Sequence, residues 1–214
     1  MQIKNQTKKL LIRLGIWYPL NLLRCIPNIM RWLRSGCKGV APHPIKMMVV
    51  GSYLKKYSIR EFVETGTYLG DTLCYIAKKG VRCTSIELSR ELYETACKKF
   101  EAYKNVRLVQ GDSGQRLPEV LKEINKPVLF WLDGHYSSGI TACGETHTPV
   151  SIELKAILSH RIKQHVILID DARNFDGTNN YPHLENLLRV IQEDGNYCAE
   201  VSTDIIRLVP RVVS

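Results

Sequence analysis

The sequence lacks several features that would assign it at once. It has no Cys-x-x-Cys pair, and its seven cysteines are scattered and mostly lie in apolar runs. This disfavours a zinc knuckle, a thioredoxin-like site and a disulfide framework, and it indicates a reducing compartment. No uncharged apolar run approaches the roughly 20 residues that a membrane span needs. No internal repeat or low-complexity segment is present, so 214 residues favour one domain with a short extension.

Acidic residues are missing from the first part of the chain. Residues 1–60 hold twelve Lys or Arg and no Asp or Glu, whereas residues 61–214 hold 18 basic and 21 acidic residues. The net charge of +9 therefore belongs to the N-terminal segment, and the rest is mildly acidic. Phosphate binding by the larger part would need a basic face, so a nucleic-acid partner is disfavoured.

Residues 1–44 are predicted to form a basic amphipathic extension, and residues 45–214 the main domain. Pro19 and Pro27 interrupt the extension, and Arg13 breaks the apolar stretch that a signal peptide would need. Aromatic, apolar and basic residues together are typical of helices that lie at a membrane surface. Two interpretations stay open for residues 1–34: contact with a membrane surface, or two short helices that pack on the domain.

After this extension, apolar runs alternate with helical patterns, which predicts a doubly wound, mostly parallel, seven-stranded α/β sheet. The chain closes with two runs separated by Thr203-Asp204, which predict an antiparallel hairpin. The predicted strands are Glu61–Glu64, Val81–Ile86, Asn105–Gln110, Val128–Leu132, Val166–Ile169, Tyr197–Ser202 and Ile205–Val209.

A glycine turn follows the first strand in the stretch Glu64-Thr65-Gly66-Thr67-Tyr68-Leu69-Gly70. The spacing is not Gly-x-Gly-x-x-Gly, and the carboxylate of Glu64 directly precedes the turn. A pyrophosphate at a helix N-terminus is disfavoured by a nearby anion, whereas a cationic ligand is favoured by it. The alternative is a plain strand–turn–helix with a solvated Glu64.

An acid follows every parallel strand: Glu64, Glu87, Asp112, Asp133 and the pair Asp170-Asp171. Ligands of such sheets bind outside the carboxyl ends of the strands. Glu87 lies about twenty residues after the glycine turn, where an acid accepts hydrogen bonds from ribose hydroxyls. Asp112 is placed either to accept from an adenine amino group or to cap the next helix.

With the segments Ile86-Glu87, Gln110–Ser113, Trp131–His135 and Leu168–Asp171, this turn resembles class I S-adenosylmethionine-dependent methyltransferases, particularly the macrocin-type, metal-dependent sugar O-methyltransferases. The resemblance covers about residues 55–210 and implies the Rossmann-like methyltransferase fold, with S-adenosylmethionine as cofactor. The residues that it implies for cofactor binding are Glu64, Gly66, Thr67, Gly70, Thr72, Glu87, Asp112, Ser113 and Asp133.

The resemblance also implies a divalent metal held by Asp133, Asp170 and Asp171. Strands 4 and 5 are neighbours in this topology, and clustered carboxylates repel unless a cation or protons intervene. Oxygen ligands favour a hard ion such as Mg²⁺. His135 would take the acceptor's proton, with Asp133 beside it as the second catalytic residue. Two alternatives remain: Asp170-Asp171 as a helix-start pair partnered by Arg173, and His135 as an ordinary loop residue.

The expected function is O-methylation of a sugar or glycan hydroxyl on a small or lipid-linked acceptor, in the cytoplasm and at the inner membrane surface. The loop from Tyr136 to His147 departs from the macrocin pattern and is expected to read the substrate. Cys143 and His147 within it lack a third member for a thiol or zinc site. The acceptor, the methylated position and the oligomeric state are not fixed by the sequence.

Two other functions stay open. A nicotinamide-dependent oxidoreductase is opposed by the broken glycine pattern, by Glu64 and by the lack of a Tyr-x-x-x-Lys pair. A non-catalytic, membrane-associated binding module on the same fold is opposed by the complete set of acids at the strand ends. Nucleic-acid methylation is disfavoured by the acidic core and by the absence of an Asn-Pro-Pro-Tyr-like motif.

Overall fold

The computed structural model describes residues 17–134 and 148–211, with side chains from residue 25 onward. His135 and the loop from Tyr136 to His147 lie outside the described residues. The chain divides into two compact units, residues 1–49 and 50–214. The predicted boundary after residue 44 stays a prediction.

The first unit contains helix α1 (Trp17–Arg34) and the start of helix α2 (His43–Lys56). α1 is one helix that runs through Pro27, so this proline does not interrupt it. The alternative of two short helices within residues 1–34 stays open, because residues 1–16 lie outside the described residues. Pro19 lies in the first turn, where its missing N–H has no helical partner to lose. No helix in the described ranges has both the length and the apolar character to cross a membrane.

The second unit alternates strands and helices as the sequence predicts. Its strands are β1 (Glu61–Thr65), β2 (Arg82–Glu87), β3 (Val106–Gln110), β4 (Leu129–Leu132), β5 (Val166–Ile169), β6 (Tyr197–Ser202) and β7 (Ile205–Pro210). Its helices are α3 (Asp71–Ala77), α4 (Arg90–Phe100), α5 (Ser113–Glu123), α6 (Val150–Leu158) and α7 (Leu184–Asp194), with a short 3₁₀ turn at Ala172–Asn174.

The seven strands form one sheet in the order β3-β2-β1-β4-β5-β7-β6. The first five are parallel, and every residue of β4 and β5 is buried, as expected for central strands of a doubly wound sheet. The order reverses between β1 and β4, which is where ligands bind in open α/β sheets. The predicted fold is confirmed.

The C-terminal hairpin completes the sheet. β7 pairs antiparallel with β5, and β6 pairs antiparallel with β7. Thr203 and Asp204 both have positive φ, 54° and 64°, as the tight turn of a two-residue hairpin requires. The hairpin therefore brings Asp204 back to the carboxyl end of β5, beside the acids that follow that strand.

Candidate functional site

The turn after β1 depends on Gly66. Its φ is +84°, and a Cβ on it would lie 2.6 Å from the carbonyl oxygen of Asp133, at the end of β4. Its N–H donates to the carbonyl of Ile86 at 2.9 Å, which ties the turn to β2 as well. Only glycine fits a positive φ combined with so close a backbone approach. The ends of β1, β2 and β4 therefore meet here, as predicted.

Glu64 is buried at this junction and is only 1% exposed. The parallel register places it opposite Ser85 of β2, whose hydroxyl donates to Glu64 Oε1 at 2.7 Å. Because the Ser85 proton is used there, the Thr67 hydroxyl, 2.5 Å from Ser85 Oγ, donates to it in turn. Thr67 and Ser85 thus orient Glu64 from one side, and the predicted turn residue Thr67 acts here through Ser85.

Burial raises the pKa of Glu64 to about 8. The Ser85 hydrogen bond lowers this pKa, the nearby Asp133 raises it, Lys99 lowers it, and Glu87 raises it. A carboxyl in this setting holds a proton at neutral pH until a cation arrives to replace it. The alternative of a solvated Glu64 is wrong.

Glu87 braces the glycine turn. Its Oε2 accepts from the backbone N–H of Tyr68 at 2.8 Å, and its Oε1 accepts from the N–H of Ser89 at 2.9 Å. Tyr68 adopts a φ of 48°, uncommon for a residue with a Cβ, while its side chain is half exposed. Strained backbone of this kind concentrates at ligand sites. The predicted role of Glu87 in binding the ribose hydroxyls stays a prediction.

Lys99, on α4, holds the far side of the turn. Its Nζ donates to the carbonyls of Leu69 and Gly70, at 2.6 and 3.0 Å, and pairs with Asp71 at 3.1 Å. Gly70 has a φ of +67°, and a Cβ there would come 2.7 Å from the Phe100 ring. Lys99 could not be recognised from the sequence, because about thirty residues separate it from the turn that it contacts. Thr72, predicted to bind cofactor, lies buried in the first turn of α3.

The segment after β3 forms the next edge of the site. Asp112 is the N-cap of α5, and its carboxylate accepts from the Gly114 N–H at 2.7 Å. One of the two roles expected of Asp112 is thus confirmed, and the adenine contact stays a prediction. Ser113, the first residue of α5, is buried beside it.

Glu153 is a site residue that the sequence did not reveal. It lies on α6, is 1% exposed, and its Oε1 has no hydrogen-bond partner within residues 17–134 and 148–211. A Cβ on Gly134 would lie 3.4 Å from this oxygen and 3.2 Å from the hydroxyl of Thr65, which also lacks a partner in that part of the chain. Glu153 therefore lies against the residues that follow β1 and β4.

Burial raises the pKa of Glu153 to about 7. The nearby hydroxyls of Ser113 and Thr65 lower this pKa, and the charges of Asp112 and Asp133 raise it. Glu153 thus lies near the last residue of β1 and near the segments that follow β3 and β4. A buried polar atom without a hydrogen-bond partner is costly. The unpartnered oxygens of Glu153 and Thr65 therefore indicate a place where the fold keeps polar groups for a ligand.

The three predicted metal ligands are only partly brought together. Asp133 and Asp170 follow neighbouring positions of β4 and β5, and the Asp170 N–H donates to the Leu132 carbonyl at 3.0 Å. Asp171, however, has a φ of 55° and accepts from Arg173 at 2.9 Å.

Arg173 also pairs with Asp204 of the β6–β7 turn, so Asp171 belongs to a three-residue ionic group. Among residues 17–134 and 148–211, no three His, Cys, Asp or Glu side chains are grouped to hold a metal ion. The set of Asp133, Asp170 and Asp171 does not fit a metal as it stands. The alternative of an acid pair partnered by Arg173 describes Asp171 better. The proton acceptor predicted at His135 lies outside the described residues.

Known structures share this fold. An O-methyltransferase from Bacillus cereus in complex with S-adenosylhomocysteine matches with a TM-score of 0.58 and 15% identity over 87% of this chain and 90% of that one. The O-methyltransferase TomG from Streptomyces achromogenes, involved in tomaymycin synthesis and in complex with S-adenosylmethionine, gives 0.56 and 14% over 86% and 87%.

The S-adenosylhomocysteine-bound methyltransferase PaMTH1 of Podospora anserina gives a TM-score of 0.57 and 14% identity over 80% of each chain. No known family profile matches the chain, and no curated protein matches it significantly. The chain thus has the Rossmann-like fold of class I methyltransferases.

Proposed function

We propose that this protein is an S-adenosylmethionine-dependent methyltransferase that acts on an oxygen acceptor. The observation that carries the proposal is Glu64, a buried carboxyl at the end of β1, beside the one glycine turn where β1, β2 and β4 meet. S-adenosylmethionine carries an ammonium and a sulfonium, and a buried acid favours such a ligand over a pyrophosphate. Structures of the same fold that contain this cofactor or its product support the assignment.

The residues divide the cofactor between them. Glu64 binds the ammonium, and Gly66 leaves room for the methionine part to approach the backbone. Glu87 accepts from the ribose hydroxyls, and the Asp112–Ser113 segment lies against the adenine. Asp133, at the end of β4, faces the region where the methyl group is presented. Each of these positions lies at the carboxyl edge of the parallel strands, where the fold binds ligands.

The reaction transfers a methyl group from sulfur to oxygen. The acceptor's O–H loses a proton, an O–CH₃ bond forms, the S–CH₃ bond breaks, and the sulfonium becomes a neutral thioether. In-line positioning provides much of the rate of such a transfer. The proton goes to a base near the acceptor. His135 is the predicted base, and Asp133 is the acid next to it in sequence.

We further propose that the acceptor is a sugar or glycan hydroxyl, as the resemblance to macrocin-type enzymes implies. Metal assistance, predicted to come from Mg²⁺, would polarise the acceptor hydroxyl. It would also require Asp171 to leave Arg173, to which it is bound at 2.9 Å. Methyl transfer assayed with sugar acceptors, with and without a chelator, tests both points. A rate that falls with chelator and returns with Mg²⁺ would support the metal, whereas an unchanged rate would leave Asp171 as a structural residue.

Calorimetric titration tests the cofactor directly. S-adenosylhomocysteine should bind the wild-type protein, and NAD should not. Glu64→Gln, which keeps the size and the Ser85 contact, should weaken binding, while Glu61→Gln, at the partly buried start of β1 beside Arg82, should not. Binding of NAD alone would favour the oxidoreductase, and binding of neither ligand would favour a non-catalytic module.

A further inference from the structure

Helix α1 leaves a row of apolar side chains in solvent. Ile26, Met30 and Leu33 are 45%, 44% and 49% exposed. Their spacing of four and three residues places them on one face of the helix. Exposed single apolar residues are ordinary, but three along one face form a surface that helices use for contact. We call these three residues the α1 stripe.

Basic residues accompany the α1 stripe. Arg31 and Arg34 lie in the last turn of α1, and Lys38 follows it; all three are exposed. No carboxylate within the described ranges forms an ion pair with any of them, and residues 1–60 contain no acid at all. Every charged side chain near the stripe in the described part of the first unit is thus a cation.

This charge pattern selects among the surfaces that could cover the stripe. A second copy of α1 would bring Arg31 and Arg34 against their own counterparts, and like charges in contact are unfavourable. An anionic bilayer offers hydrocarbon for the apolar row and negative headgroups for the cations. Since no described helix can cross a membrane, the helix would lie along the surface.

We propose that the α1 stripe binds the surface of an anionic lipid bilayer, with Ile26, Met30 and Leu33 in the headgroup boundary and Arg31, Arg34 and Lys38 on the headgroups. This surface does not depend on the proposed activity. If the acceptor is lipid-linked, binding through the α1 stripe would place the enzyme at the bilayer that holds its substrate.

Vesicle co-sedimentation of the full chain tests this proposal. We expect binding to vesicles of phosphatidylcholine with one quarter phosphatidylglycerol, and binding at least about ten-fold weaker to phosphatidylcholine alone. Met30→Glu/Leu33→Glu should lose at least about ten-fold in binding. Arg31→Gln/Arg34→Gln should lose about 25-fold at low salt and show a flatter salt dependence, since each cation contributes about five-fold.

Val190→Glu is the matched control, because Val190 is 51% exposed on α7 and lies outside the first unit. It should bind vesicles like the wild type. Equal binding to both vesicle types, or equal loss in the control, would overturn the proposal. So would a dimer in sedimentation velocity without lipid that disappears in Met30→Glu/Leu33→Glu, because a second copy would then cover the stripe. Unchanged S-adenosylhomocysteine affinity in the variants separates this result from a failure of the proposed function.

Discussion

Proton release on cofactor binding is the sharpest consequence of the buried Glu64. With a pKa of about 8, this carboxyl is about nine-tenths protonated at pH 7. An ammonium needs the charged form, so Glu64 gives up about 0.9 proton on binding at pH 7, and the net release is about 0.8 proton per ligand because the ligand's amino group takes up about 0.1. The ligand's own α-amino group has a pKa near 8 and loses its charge above that pH.

The two titrations together give a bell-shaped affinity. We expect the association constant of S-adenosylhomocysteine to rise about eight-fold from pH 6 to pH 7 and about three-fold from pH 7 to pH 8, and then to fall. Calorimetry in buffers of different ionisation enthalpy measures both the affinity and the proton count. A flat affinity from pH 6 to pH 8, with no proton release, would refute the assignment of Glu64 to the ammonium.

The variant Glu64→Gln imitates the protonated carboxyl and sharpens the test. At pH 6 it should bind nearly as well as the wild type, and at pH 8 about 10- to 100-fold more weakly, since a charge-assisted hydrogen bond is lost. The stability of Glu64→Gln, in contrast, should increase relative to the wild type as the pH rises. A carboxyl whose pKa is raised from 4.5 to about 8 contributes stability below pH 4.5 that is lost as the pH rises through 8.

As the pH rises, the wild type therefore loses stability that the variant Glu64→Gln, which has no titrating carboxyl at this position, keeps. From pH 5 to pH 8.5, the free energy of unfolding of Glu64→Gln should gain about 4 kcal/mol on the wild type. Urea denaturation at the two pH values measures this gain. A variant that is weaker in binding and no more stable at pH 8.5 would show that Glu64 is not held as a buried acid.

Three further predictions concern the surrounding structure. Gly66→Ala should lose S-adenosylhomocysteine binding, and it should lose at least about 2 kcal/mol more stability than Gly80→Ala. Both glycines have positive φ, but of the two only Gly66 would bring a Cβ against backbone, 2.6 Å from the Asp133 carbonyl oxygen. Equal urea midpoints for the two variants would contradict this. Glu153→Gln should gain about 2–3 kcal/mol on the wild type between pH 5 and pH 8.5, because its pKa is raised to about 7 and its stabilising effect disappears as the pH rises; parallel pH profiles of urea unfolding would exclude a buried proton there. His165 is fully buried, and burial lowers its pKa to about 4, so its contribution to stability is present above pH 6.5 and is lost as the pH falls. Relative to His165→Asn, the wild type should therefore lose about 2 kcal/mol between pH 7.5 and pH 5, and parallel pH profiles of urea unfolding for the two proteins would contradict this.

The sequence predicted the sheet and the acids at its edge because both follow from local pattern. A run such as Val166–Ile169 predicts a buried strand by itself, and the acid after it lies at the carboxyl end in any parallel topology. The glycine turn could be recognised from the sequence for the same reason, since a positive φ favours a particular residue type. The edge of the sheet at which a ligand binds was therefore available before any coordinates.

The local pairing of Asp171 with Arg173 was among the sequence alternatives, but the partners that lie far along the chain could not be predicted. Ser85 meets Glu64 only through strand register, and Asp204 meets Arg173 only after the hairpin folds back. Glu153 lies in a helix beside Ser151 and Lys155, where a charged residue in sequence looks like part of a solvated face. The packing of α6 against α5 and the nearness of Thr65 and Gly134 at the ends of β1 and β4 bury it, so its pKa and its place in the site required the structure.

The protonation of the buried acids favours a cation over a dinucleotide. The pKa of Glu64 is about 8 and that of Glu153 is about 7, so both carboxyls are at least partly protonated at neutral pH. A positively charged ligand can replace these protons. A pyrophosphate would instead add two negative charges beside Asp133 and Glu87, which such a pocket opposes. S-adenosylmethionine carries one positive charge more than S-adenosylhomocysteine. If the site binds this cofactor as proposed, the charge lost with the methyl group would weaken binding, and the carboxylates that hold the cofactor would also favour release of its product.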